Sequence, residues 1–191
     1  MDTFKPASNL YPEFLLLGLL FEQPGHGYDL HQRLSEEFGQ FWHISRSQTY
    51  NILKRLERQK DISGVEEEQG NRPARRRFRL TEAGQGRFND WLRSTVGSST
   101  RSIRLEFLAR LYFIERYSPE LMLSLLGRQM NEIRDRLSAL EQEQRSLPVD
   151  QVYNQLSSQL RIQQLTLVLG WLGECRDSWY RFRSFKPLIE A

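Results

Sequence analysis

Residues 44–59 read Ile-Ser-Arg-Ser-Gln-Thr-Tyr-Asn-Ile-Leu-Lys-Arg-Leu-Glu-Arg-Gln, and they carry the strongest structural signal in the chain. Ser45 is a typical helix N-cap, and the apolar residues after it recur at helical spacing. At about 100° per residue, the inward side of this helix consists of Thr49, Ile52, Leu53 and Leu56. The opposite side has no acidic residue and consists of Ser47, Asn51, Lys54 and Arg58, flanked by Tyr50 and Arg55. The stretch predicts a helix over residues 45–59 with a polar outer face.

Two further helices are predicted before this one. Pro12 suits a helix start, because the amide hydrogen that it lacks would be unpaired there, and the apolar run to Phe21 predicts that this helix is buried. Pro24 and Gly25 end the pattern. A second helix is predicted over residues 27–38, where apolar residues again recur at helical spacing.

A β-hairpin and a fourth helix are predicted after residue 60. Residues 62–68 and 75–80 are strand-like, because apolar and basic residues alternate in the second stretch. Residues 69–73 between them have turn chemistry. Thr81 then begins a helix that is expected to reach about Val96.

Three short helices followed by a basic hairpin are the plan of a winged helix-turn-helix. A polar, acid-free helix face can enter the major groove of DNA, and arginines on a hairpin can reach the adjacent phosphates. We therefore expect residues 1–97 to form a DNA-binding domain within a mainly α protein that has a small β-hairpin wing.

The polar residues of this domain allow two interpretations. The hairpin arginines can pair with the glutamates at 66–68 across the strands, or they can bind phosphate. We expect Arg72 and Arg75, nearest the turn, to bind phosphate, whereas Arg79 is structural and Arg77 fits either role. Tyr28 lies where a helix start can meet a phosphate, but its ring can equally pack while only its hydroxyl is exposed.

The second half of the chain has a different character. Gly97–Thr100 reads as a linker, and residues 101–191 are predicted to form long antiparallel helices that meet near Pro148. Residues 165–172 are apolar on nearly every side, so one neighbouring helix cannot cover them and a second subunit can. The predicted dimer interface consists of Leu126, Met130, Ile133, Leu137, Leu165, Leu169, Trp171 and Leu172. The alternative is a monomer in which the two helices form an intramolecular hairpin.

Composition excludes several classes of protein. Lys and Arg number 27 against 24 acidic residues, a net charge of +3 that does not by itself indicate a nucleic-acid binder. The longest apolar run is too short to cross a bilayer, and a single cysteine fits a reducing cytoplasm. His26, His31 and His43 lack metal-ligand spacing, and no phosphate loop or nucleophile motif is present. We expect no metal, no cofactor and no enzymatic activity.

The chain also resembles a known family, the PadR-type transcriptional regulators. The resemblance is carried by three motifs in the right order: Leu17-Gly18-Leu19-Leu20 with His26-Gly27-Tyr28-Asp29-Leu30, residues 44–57, and Arg72-Pro73-Ala74-Arg75-Arg76 with Phe78-Arg79-Leu80-Thr81-Glu82-Ala83-Gly84. Leu169-Gly170-Trp171-Leu172 behind Ser118-Pro119-Glu120 resembles the longer-tailed branch. Many relatives have Pro at the position of Asn51 and Gly near Asp61, where we expect Asp61 to adopt the left-handed backbone.

The resemblance implies a homodimeric DNA-binding repressor, often released by a small effector. Two recognition helices about 34–36 Å apart can read an inverted repeat in double-stranded DNA. The residues expected to contact DNA are Tyr28, Arg46, Ser47, Gln48, Tyr50, Asn51, Lys54, Arg72, Arg75 and Arg77. An effector pocket lined by Trp171, Trp179 or Tyr180 is conceivable, although the same aromatic residues suit a plain core. The alternative function is a coiled-coil adaptor whose winged module binds a protein.

Overall fold

The computed structural model describes residues 11–69 and 72–185, except for the side chains of residues 68, 69, 72–74 and 182–185. The chain divides into two compact units. Among the described residues, the first contains residues 11–94 together with Leu108–Phe113, and the second contains Thr95–Phe107 and residues 114–185. The described residues are mainly helical with a small antiparallel sheet, as the sequence predicts.

The described part of the first unit opens with three helices close to the predicted bounds: α1 (Glu13–Glu22), α2 (Gly27–Phe38) and α3 (Arg46–Arg58). Pro12 precedes α1 with φ −62°, a value that already suits a helix. Helix α1 is buried from Glu13 to Leu20, which accounts for its apolar composition. The predicted inward side of α3 is buried in full, namely Thr49, Ile52, Leu53 and Leu56.

The predicted hairpin is formed by β2 (Ile62–Gln69) and β3 (Arg72–Leu80), which pair antiparallel. A third strand, β1 (Gly25–His26), was not predicted and pairs with the other edge of β3. The strand order is therefore β1-β3-β2. Because β1 directly precedes α2, the pairing ties the start of that helix to the wing.

Helix α4 (Glu82–Arg93) completes the winged helix-turn-helix and ends before the predicted Val96. Its aromatic residues enter a shared core, in which the Trp91 ring stacks on Phe14 with centroids 4.8 Å apart. Phe113 also belongs to this unit and lies against Gly18, where a Cβ atom would sit 2.2 Å from the ring. The core therefore admits no side chain at residue 18.

The turn after α3 differs from the prediction. Lys60, with φ 63°, takes the left-handed conformation that was expected of Asp61. Asp61 is instead buried and pairs with Arg87 of α4. The physical reason is that the Asp61 carboxylate points inward to pair with Arg87. The preceding residue, Lys60, therefore adopts the left-handed backbone that turns the chain.

The second unit is helical throughout its regular elements. Thr100–Ser102 (α5) runs through a π-helical turn, Ile103–Phe107, into α6 (Leu108–Tyr117), the first residues of which belong to the first unit. A 3₁₀ turn, Pro119–Leu121, leads into α7 (Met122–Ser146), and α8 (Val152–Phe185) packs against α7. The connection at residues 147–151 is short, so the packed pair is antiparallel.

The structure places most residues of the predicted dimer interface inside a single chain. Leu126, Met130, Ile133, Leu137, Leu165 and Leu172 are buried within the second unit without any partner, and Leu169 and Trp171 are half-buried. The opposite side of α8 is apolar and exposed, at Tyr153, Leu156, Leu160 and Leu167. These four exposed apolar side chains, which we call the outer stripe, form a surface of α8 that is available to another subunit.

Candidate nucleic-acid interface

Helix α3 is fixed at its start by a reciprocal cap. The backbone N–H of Gln48 donates to the Ser45 hydroxyl at 3.2 Å, and the backbone N–H of Ser45 donates to Oε1 of Gln48 at 2.8 Å. Such a capping box satisfies two amide groups that helix geometry leaves unpaired. Gln48, which was predicted to contact DNA, thus has one side-chain atom committed to the cap, and its amide nitrogen is the group that can reach outward.

The outer face of α3 is as polar and acid-free as the sequence predicts. Ser47, Asn51, Lys54 and Arg58 are exposed. Within the described residues, Lys54 and Arg58 form no ion pair. An ammonium group and a guanidinium group on one helix face that are not neutralised by neighbouring carboxylates provide a positive surface for an anion.

A cleft of about 630 Å³ opens between the start of α2, the outer face of α3 and strand β3. Tyr28 stands at its mouth with 53% of its surface exposed, and the guanidinium of Arg46 lies over the Tyr28 ring at 5.2 Å from the centroid. The structure therefore brings together five of the predicted contact residues from three separate segments, which are Tyr28, Arg46, Tyr50, Lys54 and Arg75. Asn51 lines a shallower depression beside Lys54 and Arg58.

Tyr50 is held against the backbone at the start of α2. A Cβ atom at Gly27 would lie 2.8 Å from the Tyr50 ring, so a glycine there lets the two helices approach closely. Between the same two helices, Nδ1 of His31 lies 3.0 Å from the buried hydroxyl of Thr49. The angle between α2 and α3 is thus fixed by both packing and polar contacts.

The wing arginines divide into neutralised and available groups. Arg77 Nη1 lies 3.3 Å from Oε1 of Glu67, and Arg79 Nε donates to the Ser63 hydroxyl at 3.0 Å. Arg75 is exposed and forms no ion pair with a described residue. The side chain of Arg72 lies outside the described residues. The structural interpretation thus fits Arg77 and Arg79, and Arg75 is the wing cation that the described residues leave available.

Sequence reasoning missed the residues that fasten the wing to α3. Nη2 of Arg76 lies 2.6 Å from Oε1 of Glu57, and the same oxygen accepts the backbone N–H of Gly64 at 3.1 Å. Nη1 of Arg76 lies 3.8 Å from Oε1 of Glu66, its partner in the hairpin register. The pair with Glu66 follows from the strand register, whereas the contact with Glu57 needs the folded orientation of α3.

The described residues offer neither a metal centre nor a membrane-spanning helix. They contain no group of three or more His, Cys, Asp or Glu side chains able to hold a metal ion. None of their helices has the length and apolar composition needed to cross a membrane.

Family models match both halves of the chain. The model of the transcriptional regulator PadR-like family matches residues 16–90, and that of the virulence activator alpha C-term matches residues 103–178. The chain is also similar to the negative transcriptional regulator PadR of Bacillus subtilis (strain 168), at 30% identity over 129 residues that cover 68% of this chain and 70% of that protein.

Several solved structures are similar to the chain. Bacillus subtilis PadR in complex with operator DNA has a TM-score of 0.44 at 24% identity, covering 87% of this chain and 98% of that one. The same protein in complex with p-coumaric acid has a TM-score of 0.40 at 25% identity, covering 88% and 98%. The protein smu.1604c from Streptococcus mutans UA159 has a TM-score of 0.43 at 20% identity, covering 85% and 96%.

Proposed function

Because the chain belongs to the PadR-like family of transcriptional regulators, we propose that it binds double-stranded DNA through α3 and the wing. The outer face of α3 enters the major groove, where Ser47, Gln48 and Asn51 meet base edges and Lys54 meets a base or phosphate. Arg46, Tyr28 and Tyr50 hold the helix in register from the cleft. Arg75 contacts the phosphate backbone beyond the groove, together with Arg72.

A single observation carries this proposal. The cleft gathers Arg46, Lys54 and Arg75 from separate segments. The Glu57 carboxylate that also lines the cleft is paired with Arg76, and neither Lys54 nor Arg75 is paired with a described carboxylate. A protein surface that served only as a solvated face would be expected to pair these cations with acidic residues as well. Unneutralised cations along one groove-sized face are the footprint of a polyanion.

We propose that the protein acts as a homodimer. The outer stripe of α8 has the heptad-like spacing of a helix seam and is exposed in one chain, with Leu167 76% exposed. Apolar surface of that kind is unusual on a monomer. Paired subunits would present two α3 helices to an inverted repeat, with residues 1–97 binding DNA and residues 101–191 supporting the dimer.

We further propose repression as the mode of action, because a dimer seated on a promoter excludes the polymerase. The protein would act in the cytoplasm and without enzymatic activity of its own. Partial burial, and secondarily the nearby Glu174, raises the pKa of the Cys175 thiol, which disfavours the reactive thiolate. Release by a small effector at Trp171, Trp179 or Tyr180 stays a prediction.

DNA binding is tested with a duplex from the region upstream of the protein's own gene. Affinity is expected to fall by about 10³–10⁵-fold between ~50 and ~200 mM salt if the dimer makes about six to ten phosphate contacts. The double substitution Lys54→Ala with Arg75→Ala removes the two cleft cations, one on the recognition helix and one on the wing, that have no described acidic partner. It is expected to abolish binding while circular dichroism remains unchanged.

The matched control removes two arginines from α7, by Arg134→Ala with Arg145→Ala, and so makes the same change in net charge. Both arginines are exposed. Unchanged affinity in the control and lost affinity in the cleft variant support the proposal. A specific shift that survives loss of Lys54 and Arg75 would refute the site, and the absence of any specific shift in wild-type protein would favour the coiled-coil adaptor.

A further inference from the structure

Glu13, in the first turn of α1, is an acidic side chain only 6% exposed to solvent. Its two carboxylate oxygens have different partners. Oε2 lies 2.5 Å from Nη2 of Arg55 on α3, and Oε1 lies 2.7 Å from Nη2 of Arg87 on α4. The other terminal nitrogen of Arg87, Nη1, pairs with the buried carboxylate of Asp61 in the turn after α3.

These four side chains form a neutral chain of alternating charge, Arg55–Glu13–Arg87–Asp61. A buried carboxylate is tolerated when charged hydrogen bonds replace its hydration, and each carboxylate here has at least one guanidinium partner. The Arg87 guanidinium also lies over the Phe14 ring at 5.1 Å from the centroid, which fixes its plane. Arg87 is therefore held by a carboxylate on α1, a carboxylate after α3 and the face of an aromatic ring.

The network holds α3 at two points, one within the helix and one just after its end. Arg55 grips Glu13 from within the helix, and Asp61 is fixed just after the helix ends. Arg55 follows Asn51 by one helical turn and directly follows Lys54. The rotation of α3 about its own axis, which decides where these two neighbours point, is thus tied to a residue of α1 that faces the protein interior.

We propose that Glu13 is a positioning residue for sequence reading, acting on the outer face of α3 through Arg55. The inference rests on the proposed function, in which that face meets base edges. Contacts to phosphate tolerate small rotations because they involve flexible cations, whereas hydrogen bonds to base edges depend on direction. Glu13 therefore controls discrimination between sequences more than affinity for DNA in general.

The test compares two duplexes, one selected from a random-sequence library by the wild-type protein and one with the same bases scrambled. Glu13→Gln keeps the shape of the side chain but removes its charge. It is expected to lower the ratio of the two affinities by about tenfold, as expected for the loss of one good base contact. Affinity for the scrambled duplex is expected to change much less than affinity for the selected duplex.

The matched control is Glu37→Gln, which breaks an ion pair of the same module, since Oε1 of Glu37 lies 3.0 Å from Nε of Arg33 within α2. It is expected to leave the affinity ratio unchanged. All affinities are measured well below the melting temperature of each variant. A purely structural role for Glu13 predicts a lower melting temperature with an unchanged affinity ratio in the folded protein, and that result would overturn the proposal.

Arg55→Met provides an independent route, because Glu13 keeps its pair with Arg87 in that variant. It is expected to lower the affinity ratio as Glu13→Gln does, and the double variant is expected to lower it no further. A salt slope reduced by about one in Arg55→Met would show that Arg55 itself binds phosphate, against the proposal. If the wild-type protein selects no duplex at all, the proposed function fails. If it does select one and the affinity ratio is unchanged in Glu13→Gln, only the positioning role of Glu13 fails.

Discussion

The carboxylate of Glu57 determines which arginines of the winged helix-turn-helix remain available to bind DNA. It accepts hydrogen bonds from Nη2 of Arg76 and from the backbone N–H of Gly64, and so joins the end of α3 to two strands of the wing. Arg76 is neutralised by this contact, and Glu66 lies near its other terminal nitrogen. Arg75, the residue before Arg76 in β3, has no described acidic partner. Arg76 therefore fastens the wing to α3, whereas Arg75 remains available to an anion.

Glu57→Gln is expected to release Arg76 and to add one cation to the DNA-binding surface. The slope of log affinity against log salt should become steeper by about one phosphate contact, measured by fluorescence anisotropy on a scrambled duplex. Glu36→Gln makes the same charge change at an exposed residue whose partner within the described part of the chain is Gln32. An equal steepening in both variants would mean that net charge, rather than the release of Arg76, is responsible.

Lys60 is the described non-glycine residue with a left-handed backbone. For an L-residue this conformation costs about 1–2 kcal/mol, so Lys60→Gly is expected to raise the free energy of unfolding by about 1 kcal/mol, measured by urea denaturation. Asp61→Gly puts a glycine near the place where many relatives have one. It is expected to lower the free energy of unfolding, because Arg87 would lose its Asp61 partner. A stabilised Asp61→Gly variant would contradict the assignment of the turn.

At the scale of single elements, α4 contains two glycines in opposite environments. A Cβ atom at Gly84 would lie 2.0 Å from the backbone oxygen of Asp61, whereas a Cβ atom at Gly86 would meet nothing within 4 Å. The first glycine lets α4 approach the turn after α3, and Thr81 donates to the same oxygen of Asp61. The second glycine has no such role in the described residues.

Gly84→Ala is therefore expected to lower the free energy of unfolding by about 1–3 kcal/mol, because a backbone atom cannot yield as a side chain can. Gly86→Ala in the same helix is expected to raise it by about 0.5–1 kcal/mol through better helix propensity. Thermal unfolding of the two variants measures both signs. Similar effects of the two substitutions would show that α4 does not pack on the turn as closely as the structure indicates.

Elements with strong local signals were predictable from the sequence, and those that depend on distant partners were not. Helix α3 was predicted at nearly its observed bounds because Ser45 caps it and its inward side is periodic. Strand β1 was missed because it consists of Gly25 and His26 alone, and two residues carry no alternation to detect. The strand forms because the edge of β3 provides backbone hydrogen-bond partners for these two residues.

The candidate site follows the same division. The face carrying Asn51 and Lys54 follows from helical geometry, so the sequence alone predicts it. The contacts of Glu57 with Arg76, and of Glu13 with Arg55, join residues 19 and 42 positions apart. No local pattern in the sequence specifies such pairs, because they depend on how the helices pack.

At the scale of the whole molecule, α8 has apolar residues on two opposite sides. Leu165 and Leu172 are buried within the second unit, and about half a turn away around the helix Leu156 and Leu160 are each 55% exposed. A helix that is apolar on both sides needs cover on both. The second side is long enough to form a seam with a copy of itself, in which each subunit contributes the same surface.

Leu160→Glu with Leu167→Glu places two like charges in that seam and is expected to convert the dimer into monomers of 22.7 kDa, measured by sedimentation. The control is Gln159→Glu with Thr166→Glu, which adds the same charges one position earlier, on the flank of the helix. It is expected to remain dimeric. Wild-type protein that sediments at 22.7 kDa would show that there is no subunit contact. A seam variant that stays dimeric would show that the contact lies elsewhere.

The same two variants connect assembly to DNA binding. A monomer retains one α3 and its cleft, so it is expected to bind a single half-site. Its slope of log affinity against log salt should be about half that of the dimer, because it makes half the phosphate contacts. It loses the added affinity that a second linked site contributes to an inverted repeat. The ratio of affinities for a full repeat and a half-site should therefore fall toward one in the seam variant and stay high in the control, as measured by gel shift. A seam variant that still prefers the full repeat would show that the two subunits associate on DNA without the outer stripe.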